Sequence, residues 1–465
     1  MELINKFILS INDFLWTYIL IAMLLVLAVY FTWKTKFVQF RYIGEMFRLL
    51  GDSASSKKEK GAISSFQAFC ISTASRVGTG NLAGIAIAIS IGGPGAIFWM
   101  WIIALIGASS SFVESTLAQI YKTRDKNGAF RGGPAYYMEK ALGKRWMGVI
   151  FSILITITFG LIFNSVQSNT IASAFNSAFN FDKTIVGIVL TILTVAIIFG
   201  GVHRVAKVSE VLVPVMAVAY ICVALFVVII NIDKIPSLIK LIVDNAFGIE
   251  QAVAGGIGAA LMNGIKRGLF SNEAGMGSAP NAAATATVSH PVKQGLIQTL
   301  GVFTDTIIIC SCTAFIILLS GIDLSSGEGI QLTQNALSSQ VGPWGSYFIA
   351  ICILLFAFSS IVGNYYYGEA NIEFLTNKKI YLTLYRVFVA VMVFFGSIAN
   401  LQIVWNLADV FMGLMAIINL IAIALLGKFA FKALDDYRAQ KKAGIKEPVF
   451  KASSIPELKN VEEWQ

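Results

Sequence analysis

Apolar runs of helical length recur from one end of the chain to the other, separated by short polar and basic connectors. Crossing roughly 30 Å of hydrocarbon takes about 20 apolar residues. Runs of that kind fall at about 14–33, 64–91, 94–120, 147–175, 184–200, 208–232, 250–285, 294–320, 345–375, 380–398 and 400–427. The pattern predicts an all-α membrane protein with eleven spans. Two of the spans carry polar and glycine interruptions. The segment Ser64–Pro94 is expected to break around Ala74 to Asn81, and Glu250–Pro280 around Asn263 to Gly268. A break in mid-bilayer strands backbone N–H and C=O groups where no water reaches them, so it persists only against buried protein or a polar cavity. One such break in each half of a chain points to inverted repeats with a binding site at the midplane.

With the first span set aside, ten remain, as five in 64–232 and five in 250–427. An odd number per unit makes the second unit enter from the opposite side, so the two are expected to be related by an in-plane two-fold axis. Residues 1–63 then form an extra N-terminal helix and a linker, and 428–465 a polar tail expected to be partly disordered. The loops 34–62, 121–146, 201–209, 286–294 and 376–380, with the tail, hold most of the 35 basic residues; Lys6, Lys183, Lys234 and Lys240 are on the other side. That asymmetry predicts an outside N-terminus and a cytoplasmic C-terminus. Asn12 and Asp13 before the first span, and no small-residue cleavage site after it, read as a retained helix and not a signal peptide. Phe37 to Leu50 fits an amphipathic surface helix, and the external loop 321–344 a short capping helix with Leu332, Ala336 and Leu337 on one face.

Composition agrees with these spans, at 56% hydrophobic and 13% charged residues. The net charge of +9 is thus a topology signal and not a nucleic-acid footprint. Cys70, Cys222, Cys310, Cys312 and Cys352 all lie in predicted spans, where no disulfide is expected, and the spacing of Cys310 and Cys312 is not that of a metal site. The two histidines, His203 and His290, fall in loops with no nucleophile motif nearby, which argues against a membrane enzyme. A channel usually builds its pore from several subunits around an axis, whereas two breaks within one chain favour alternating access. Pyrophosphate binding at Gly78-Thr79-Gly80 lacks the strand–turn–helix setting such a loop needs.

The chemistry centres on Arg76-Val-Gly-Thr-Gly-Asn81. Glycine lets the chain leave helical geometry at low steric cost. The two half-helices then offer free N–H groups to an anionic carboxylate and free carbonyls to a small cation. The plainer reading, glycines that merely let helices pack closely, suits Gly92-Gly93 and the alanine run after Pro280. Thr79 and Asn81 beside the glycines favour the functional one.

The strings SRVGTGNLAGI (75–85), GGPGAIFWMWI (92–102), FRGGPAYYME (130–139), KRGLFSNEAGMGSAPN (266–281) and YYYGEA (365–370) closely resemble the alanine or glycine:cation symporter family. The resemblance runs from about residue 14 to 430. It implies a LeuT-like fold, a 5+5 inverted repeat with one extra N-terminal helix, importing a small neutral amino acid with sodium and sometimes protons. It implies no cofactor beyond sodium as coupling ion, no nucleic acid, no obligate protein partner, and a place in the plasma membrane of a bacterial or archaeal cell. By the same likeness Gly78, Thr79 and Gly80 hold the substrate carboxylate, and Gln167, Asn263, Gly264 and Asn272 face the substrate. Ser359 and Ser360, with carbonyls near Ala74 and Val77, form the sodium site, since hydroxyl and carbonyl oxygens suit a hard cation. Read alone, the two serines look like ordinary back-bonding hydroxyls.

One position departs from many members of the family, in which a tryptophan follows the glycine at 363. Here it is Asn364, which is expected to enlarge the pocket, add an amide and admit glutamine or asparagine beside alanine and glycine. Ionisable groups in spans are costly and are usually paired or functional. Arg76, Glu114, Lys266, Arg267, Glu273, Asp305, Glu369 and Asp409 form that set. Glu114, at a spacing from Asn81 like that of a LeuT-fold glutamate, is expected by that likeness to brace both broken helices by accepting backbone N–H bonds, in preference to relaying a proton. Glu273 is expected to pair with Arg76, Lys266 or Arg267 in a gate or brace.

Overall fold

The computed structural model describes residues 2–55, 63–125, 128–199, 201–249 and 256–464. Among these the chain is helical apart from connections and one small hairpin, Thr123–Arg124 with Phe130–Arg131. The first half comprises α1 (Ile8–Lys34), the amphipathic α2 (Ile43–Ser55), α3 (Ser65–Arg76), α4 (Gly80–Gly92), α5 (Gly95–Ile120), α6 (Arg145–Phe179), α7 (Lys183–Ile198), α8 (Gly201–Ile230) and α9 (Ile235–Ala246). The second comprises α10 (Gly256–Asn272), α11 (Ala279–Ala283), α12 (Pro291–Ser320), α13 (Ile330–Val341), α14 (Trp344–Leu375), α15 (Lys379–Ile398) and α16 (Leu401–Lys442). Among the described residues, eight helices are long and apolar enough to cross a membrane, or nine with α3 and α4 counted as one span bent by 49°.

Local chemistry sets the boundaries that matter. Ser64 opens α3 with a reciprocal cap: its Oγ accepts the Gln67 N–H at 3.1 Å, and Gln67 Oε1 accepts the Ser64 N–H at 3.1 Å. The helix stops at Arg76, and α4 restarts at Gly80 in a π-helical turn, so the first predicted break is where the structure has it. The second is not. α10 runs unbroken through Asn263 to Gly268 and ends at Asn272. Asn263 Nδ2 turns back to the Ala259 carbonyl at 2.9 Å, and a Cβ on Gly264 would lie 2.3 Å from the Ala96 carbonyl. These small residues let α10 press against α5. The chain leaves the helix later, at Glu273, Gly275 and Gly277, whose φ values are +58°, +86° and +86°. The predicted start of the second repeat, Glu250, lies outside the described residues.

The two halves interlock. α5 packs against α10 and α12, α6 against α14 and α15, and α7 against α15. α1 rests on α5 and α16. α13 forms as expected, with Leu332, Ala336 and Leu337 buried, and Thr333 Oγ1 donating to the Leu82 carbonyl at 3.1 Å.

The tail differs from expectation. α16 continues through Gly427 to Lys442, so the predicted boundary falls inside a helix. Beyond it the chain folds back on the basic side of the molecule. Phe450 N–H donates to the Ser289 carbonyl at 2.9 Å and Trp464 Nε1 to the Gln119 carbonyl at 2.8 Å. Phe450, Ile455 and Trp464 are buried, and three apolar anchors are enough to order a polar segment.

α2 is tied to α16 across this face. Hydrogen bonds from Arg48, then Tyr437 and Lys441, hold the Glu45 pKa down from its usual 4.5 to about 2. A carboxylate whose pKa is depressed by folding stabilises the folded state above its unfolded value and loses that contribution as pH falls through the folded one. Glu45→Gln should therefore lower the melting temperature at pH 7, by about 1 kcal/mol or less of stability for a part-exposed network. It should also flatten the loss of stability between pH 4.5 and 2. Thermal melts of detergent-purified protein across that range test both, and an unchanged pH slope would refute the assignment.

Candidate functional site

The first break is held by side chains from three other helices. Ser360 Oγ, on α14, lies 2.8 Å from the Ala74 carbonyl, 3.3 Å from that of Val77 and 3.0 Å from that of Phe356. Gln167, on α6, accepts the Thr79 N–H at 2.9 Å, and Asn81 Oδ1 accepts the Gly78 N–H at 2.8 Å. Asn81 Nδ2 in turn donates to Asp305 Oδ1 at 2.7 Å, and Ser271 Oγ to Asp305 Oδ2 at 2.8 Å. Asp305 stands in a π-helical stretch of α12, and it ties the start of α4 to the end of α10. A π-turn of this kind often marks a functional position. Gly78 and Gly80 are needed as glycines, since a Cβ would lie 2.2 Å from Ser360 Oγ at the one and 3.0 Å from the Phe270 ring at the other.

The second break is held by one carboxylate. Glu114 Oε1 accepts the Gly275 N–H and Oε2 the Gly277 N–H, each at 3.1 Å, and Asn419 Nδ2 donates to Oε2 at 2.8 Å. Both oxygens thus accept the stranded donors of the second unwound segment, and none of these bonds reaches the first break. Asn272 Oδ1 accepts the Ala274 N–H at 3.0 Å.

A polar chain links the breaks. Ser75 Oγ lies 2.7 Å from both Glu273 Oε1 and Asn364 Oδ1, Asn364 Nδ2 donates to Asn164 Oδ1 at 3.2 Å, and Ser278 Oγ donates to Glu273 Oε2 at 2.5 Å. Glu273 therefore bonds to Ser75 and Ser278. The arginine and lysine proposed for it go elsewhere: Arg267 meets Asp409 at 2.5 Å and Lys266 approaches the same carboxylate at 3.6 Å. Arg76 donates to the Gln298 carbonyl and Ser111 Oγ, each at 3.3 Å. Glu273 follows the end of α10 and turns away from the helical face that carries Lys266 and Arg267, so their cations reach α16.

Most of the expected site residues converge. Gly78, Thr79, Gly80, Gln167, Asn272 and Asn364 are buried around the breaks, with Ala74, Val77 and Ser360 beside them. Asn263 and Gly264 do not join them, being taken up by packing against α4 and α5. Ser359 is adjacent but outside the first break, its Oγ donating to the Phe356 carbonyl at 2.8 Å and lying 3.7 Å from Met216 Sδ. The sequence reading left out Asn164 and Ser271, and the aromatic wall of Phe163, Phe270 and Trp405, whose ring centroids are 4.5 and 4.7 Å apart in turn. The Arg267 guanidinium stacks 4.6 Å over Trp405.

The carbonyl oxygens of Ala74, Val77 and Phe356 meet at the Ser360 hydroxyl, with Ser359 outside the group, and oxygens of these kinds suit a hard cation. The Asp305 cluster is different in kind, because its neighbours point donors at the carboxylate and satisfy it. Thr79 Oγ1 and Asn272 Nδ2, one at each break, are buried without a hydrogen-bond partner among the described residues.

The family model for the sodium:alanine symporter family matches residues 1–452. The chain is 59% identical to the amino-acid carrier protein AlsT of Bacillus subtilis, over 98% of this chain and 96% of the relative. It is 60% identical to the probable sodium/glutamine symporter GlnT of the same organism, over 97% and 94%. With the sodium/alanine symporter AgcS of Methanococcus maripaludis it shares 38% identity, over 90% and 93%. Among solved structures it resembles MhsT in complex with L-phenylalanine, with a TM-score of 0.54 and 17% identity over 79% of this chain and 95% of that one. A manganese transporter from Eremococcus coleocola gives a TM-score of 0.55 at 14% identity, over 82% and 81%. At those identities the likeness is one of fold, and both are LeuT-like neighbours. The chain belongs to the sodium:alanine symporter family and is a multi-pass cell-membrane protein.

Removing the Glu114 carboxylate leaves the Gly275 and Gly277 donors without their acceptor. Each buried unsatisfied group costs about 1–3 kcal/mol. Glu114→Ala should therefore lower the melting temperature strongly, and Glu114→Gln, which keeps one acceptor oxygen, by less. A mutant that melts like the wild type would show that the second break is held by something else.

Proposed function

We propose that this chain imports a small neutral amino acid coupled to sodium by alternating access, with alanine and glycine as the core substrates. In this reading the chain crosses the membrane eleven times, by the eight continuous spans, the bent pair α3–α4, the shorter α7 and the broken pair α10–α11. The arrangement is five plus five around the two breaks with α1 in addition, and the distribution of lysine and arginine favours an outside N-terminus. The observation that carries the function is the meeting of Ser360 with the freed carbonyls of Ala74 and Val77. With its proton rotated away, the hydroxyl supplies an oxygen beside those two carbonyls and that of Phe356. A sodium ion there fastens α3 to α14.

The substrate carboxylate takes the N–H groups of Gly78, Thr79 and Gly80, displacing the neutral oxygens of Asn81 and Gln167. Thr79 Oγ1 and Asn272 Nδ2 supply further bonds. Phe270 and the Arg267–Asp409 pair cover one side, and Glu114 holds the second half-helix in place. Labelled alanine uptake into liposomes, with a sodium gradient or with sodium replaced, tests the coupling. Ser360→Ala should raise the sodium concentration for half-maximal uptake roughly tenfold or more, the scale of one lost ligand worth about 1.4 kcal/mol. Ser359→Ala should do less. Unaltered sodium dependence in Ser360→Ala, or full uptake on a proton gradient alone, would favour proton coupling.

A second reading, selectivity for glutamine, is supported by Asn364 and by the 60% identity to a probable sodium/glutamine symporter. Asn364 is fully buried beside Ser75, where a larger side chain has to intrude on the space between the breaks. Asn364→Trp should shift competition from glutamine toward alanine by about 10- to 200-fold, the range for a steric or hydrogen-bond mismatch. An equal glutamine-to-alanine ratio before and after substitution would place the determinant on α6 or α10.

A further inference from the structure

On the basic side of the molecule, the connection from α14 to α15 faces the 123–131 hairpin across a cavity of about 560 Å³. Four basic residues line it, Arg131, Lys378, Lys379 and Arg386, against two acids, Asp125 and Glu373. The acids are engaged: Glu373 pairs with Arg131 at 3.2 Å, and Asp125 Oδ1 accepts the Ala129 N–H at 2.9 Å. Arg386 is turned toward α14, where it meets Glu369 at 3.1 Å and Tyr365 Oη at 2.8 Å. Lys378 and Lys379 are exposed and have no ion-pair partner among the described residues. The cavity thus carries positive charge that the protein leaves uncompensated.

The same helix leads from this cavity straight onto the lipid-facing surface. Ile380, Leu384, Val387, Phe388 and Val391 of α15 are 46–59% exposed and in a bilayer lie against acyl chains. A basic cavity opening onto such a stripe matches an amphiphile with an anionic head and apolar tails. A free anion gains nothing from the stripe, and a neutral headgroup gains little from the lysines. We propose that the cavity binds the headgroup of an anionic phospholipid, its phosphate against Lys378 and Lys379 and its acyl chains along the exposed face of α15. Through Arg386 the headgroup would lie one side chain away from α14, the helix that carries Ser360 and Asn364.

Native mass spectrometry of the purified full chain, titrated with phosphatidylglycerol, phosphatidylcholine or sodium phosphate, tests the proposal. Phosphatidylglycerol should bind in preference to phosphatidylcholine, and millimolar phosphate should not displace it. Lys378→Gln with Lys379→Gln, both at exposed positions, should weaken phosphatidylglycerol binding roughly tenfold or more at an unchanged melting temperature. Glu373→Gln, which releases Arg131, should tighten it severalfold. Equal binding of the two lipids, displacement by free phosphate, or wild-type affinity in both variants would each overturn the site.

Discussion

Everything in this structure answers to the stranded backbone groups of two interrupted helices. In hydrocarbon each of them needs a partner, and the rest of the bundle is arranged to bring one. The two breaks are served differently. At the first, the Gly78 and Thr79 N–H groups bond to neutral amide oxygens and the Ala74 and Val77 carbonyls to a hydroxyl. At the second, a single carboxylate takes both N–H groups. Hydrogen bonds between neutral groups contribute about 0.5–1.5 kcal/mol and those to charged groups about 1.5–3. In the proposed function the first break is the exchangeable one, where an anionic substrate replaces neutral amide oxygens, and the second is scaffold.

That division explains the interlocking of the halves. Glu114 belongs to α5 and braces the break after α10, while Ser360 belongs to α14 and meets the break after α3. Each half thus supplies some of the partners for the other's broken helix, while Asn81 and Gln167 serve the first break from within its own half. Close approach makes this possible: Gly264 and Gly268 bring α10 against α5, and Gly363 brings α14 to the backbone of Ser75. Removing either half would leave buried donors and acceptors bare, at about 1–3 kcal/mol for each group.

The sequence was legible where one chemical signal had one meaning. Glycine with threonine and asparagine inside an apolar run marked the first break, and Glu114, a lone acid in a long apolar helix, had few roles open to it but that of a backbone acceptor. Asn263, Gly264 and Gly268 carry the same composition as a break and serve as a packing face, because glycine permits both unwinding and close approach. What decides between them is whether another backbone lies against the glycine, and a linear pattern does not contain that. Pairing was equally hidden: Arg267 finds Asp409 across 142 residues, and Asp305 joins Asn81 to Ser271 through a π-turn that composition does not reveal. The tail was misread because its average polarity conceals three well-placed anchors, Phe450, Ile455 and Trp464.

The coupling itself follows from how few groups cross between the moving parts in the proposed cycle. Ser360 and the polar chain through Ser75, Asn364 and Asn164 are the contacts that join α3 to α14 and α6 beside the first break. As long as no ion is bound, Ser360 holds the Ala74 and Val77 carbonyls through a single proton. That is a weak and directional bond, easily given up when α3 tilts. In the proposed function a sodium ion would draw on all of those oxygens at once and need both helices in place to be coordinated. Binding therefore favours the arrangement in which the helices are together, by its differential affinity for that state. The carboxylate of an amino acid bound as proposed at Gly78 to Gly80 would sit on the same unwound segment and require the same geometry. Ion and substrate then stabilise one conformation of one short stretch of backbone, and positive coupling between them needs no longer path through the protein than the few residues from Ala74 to Gly80.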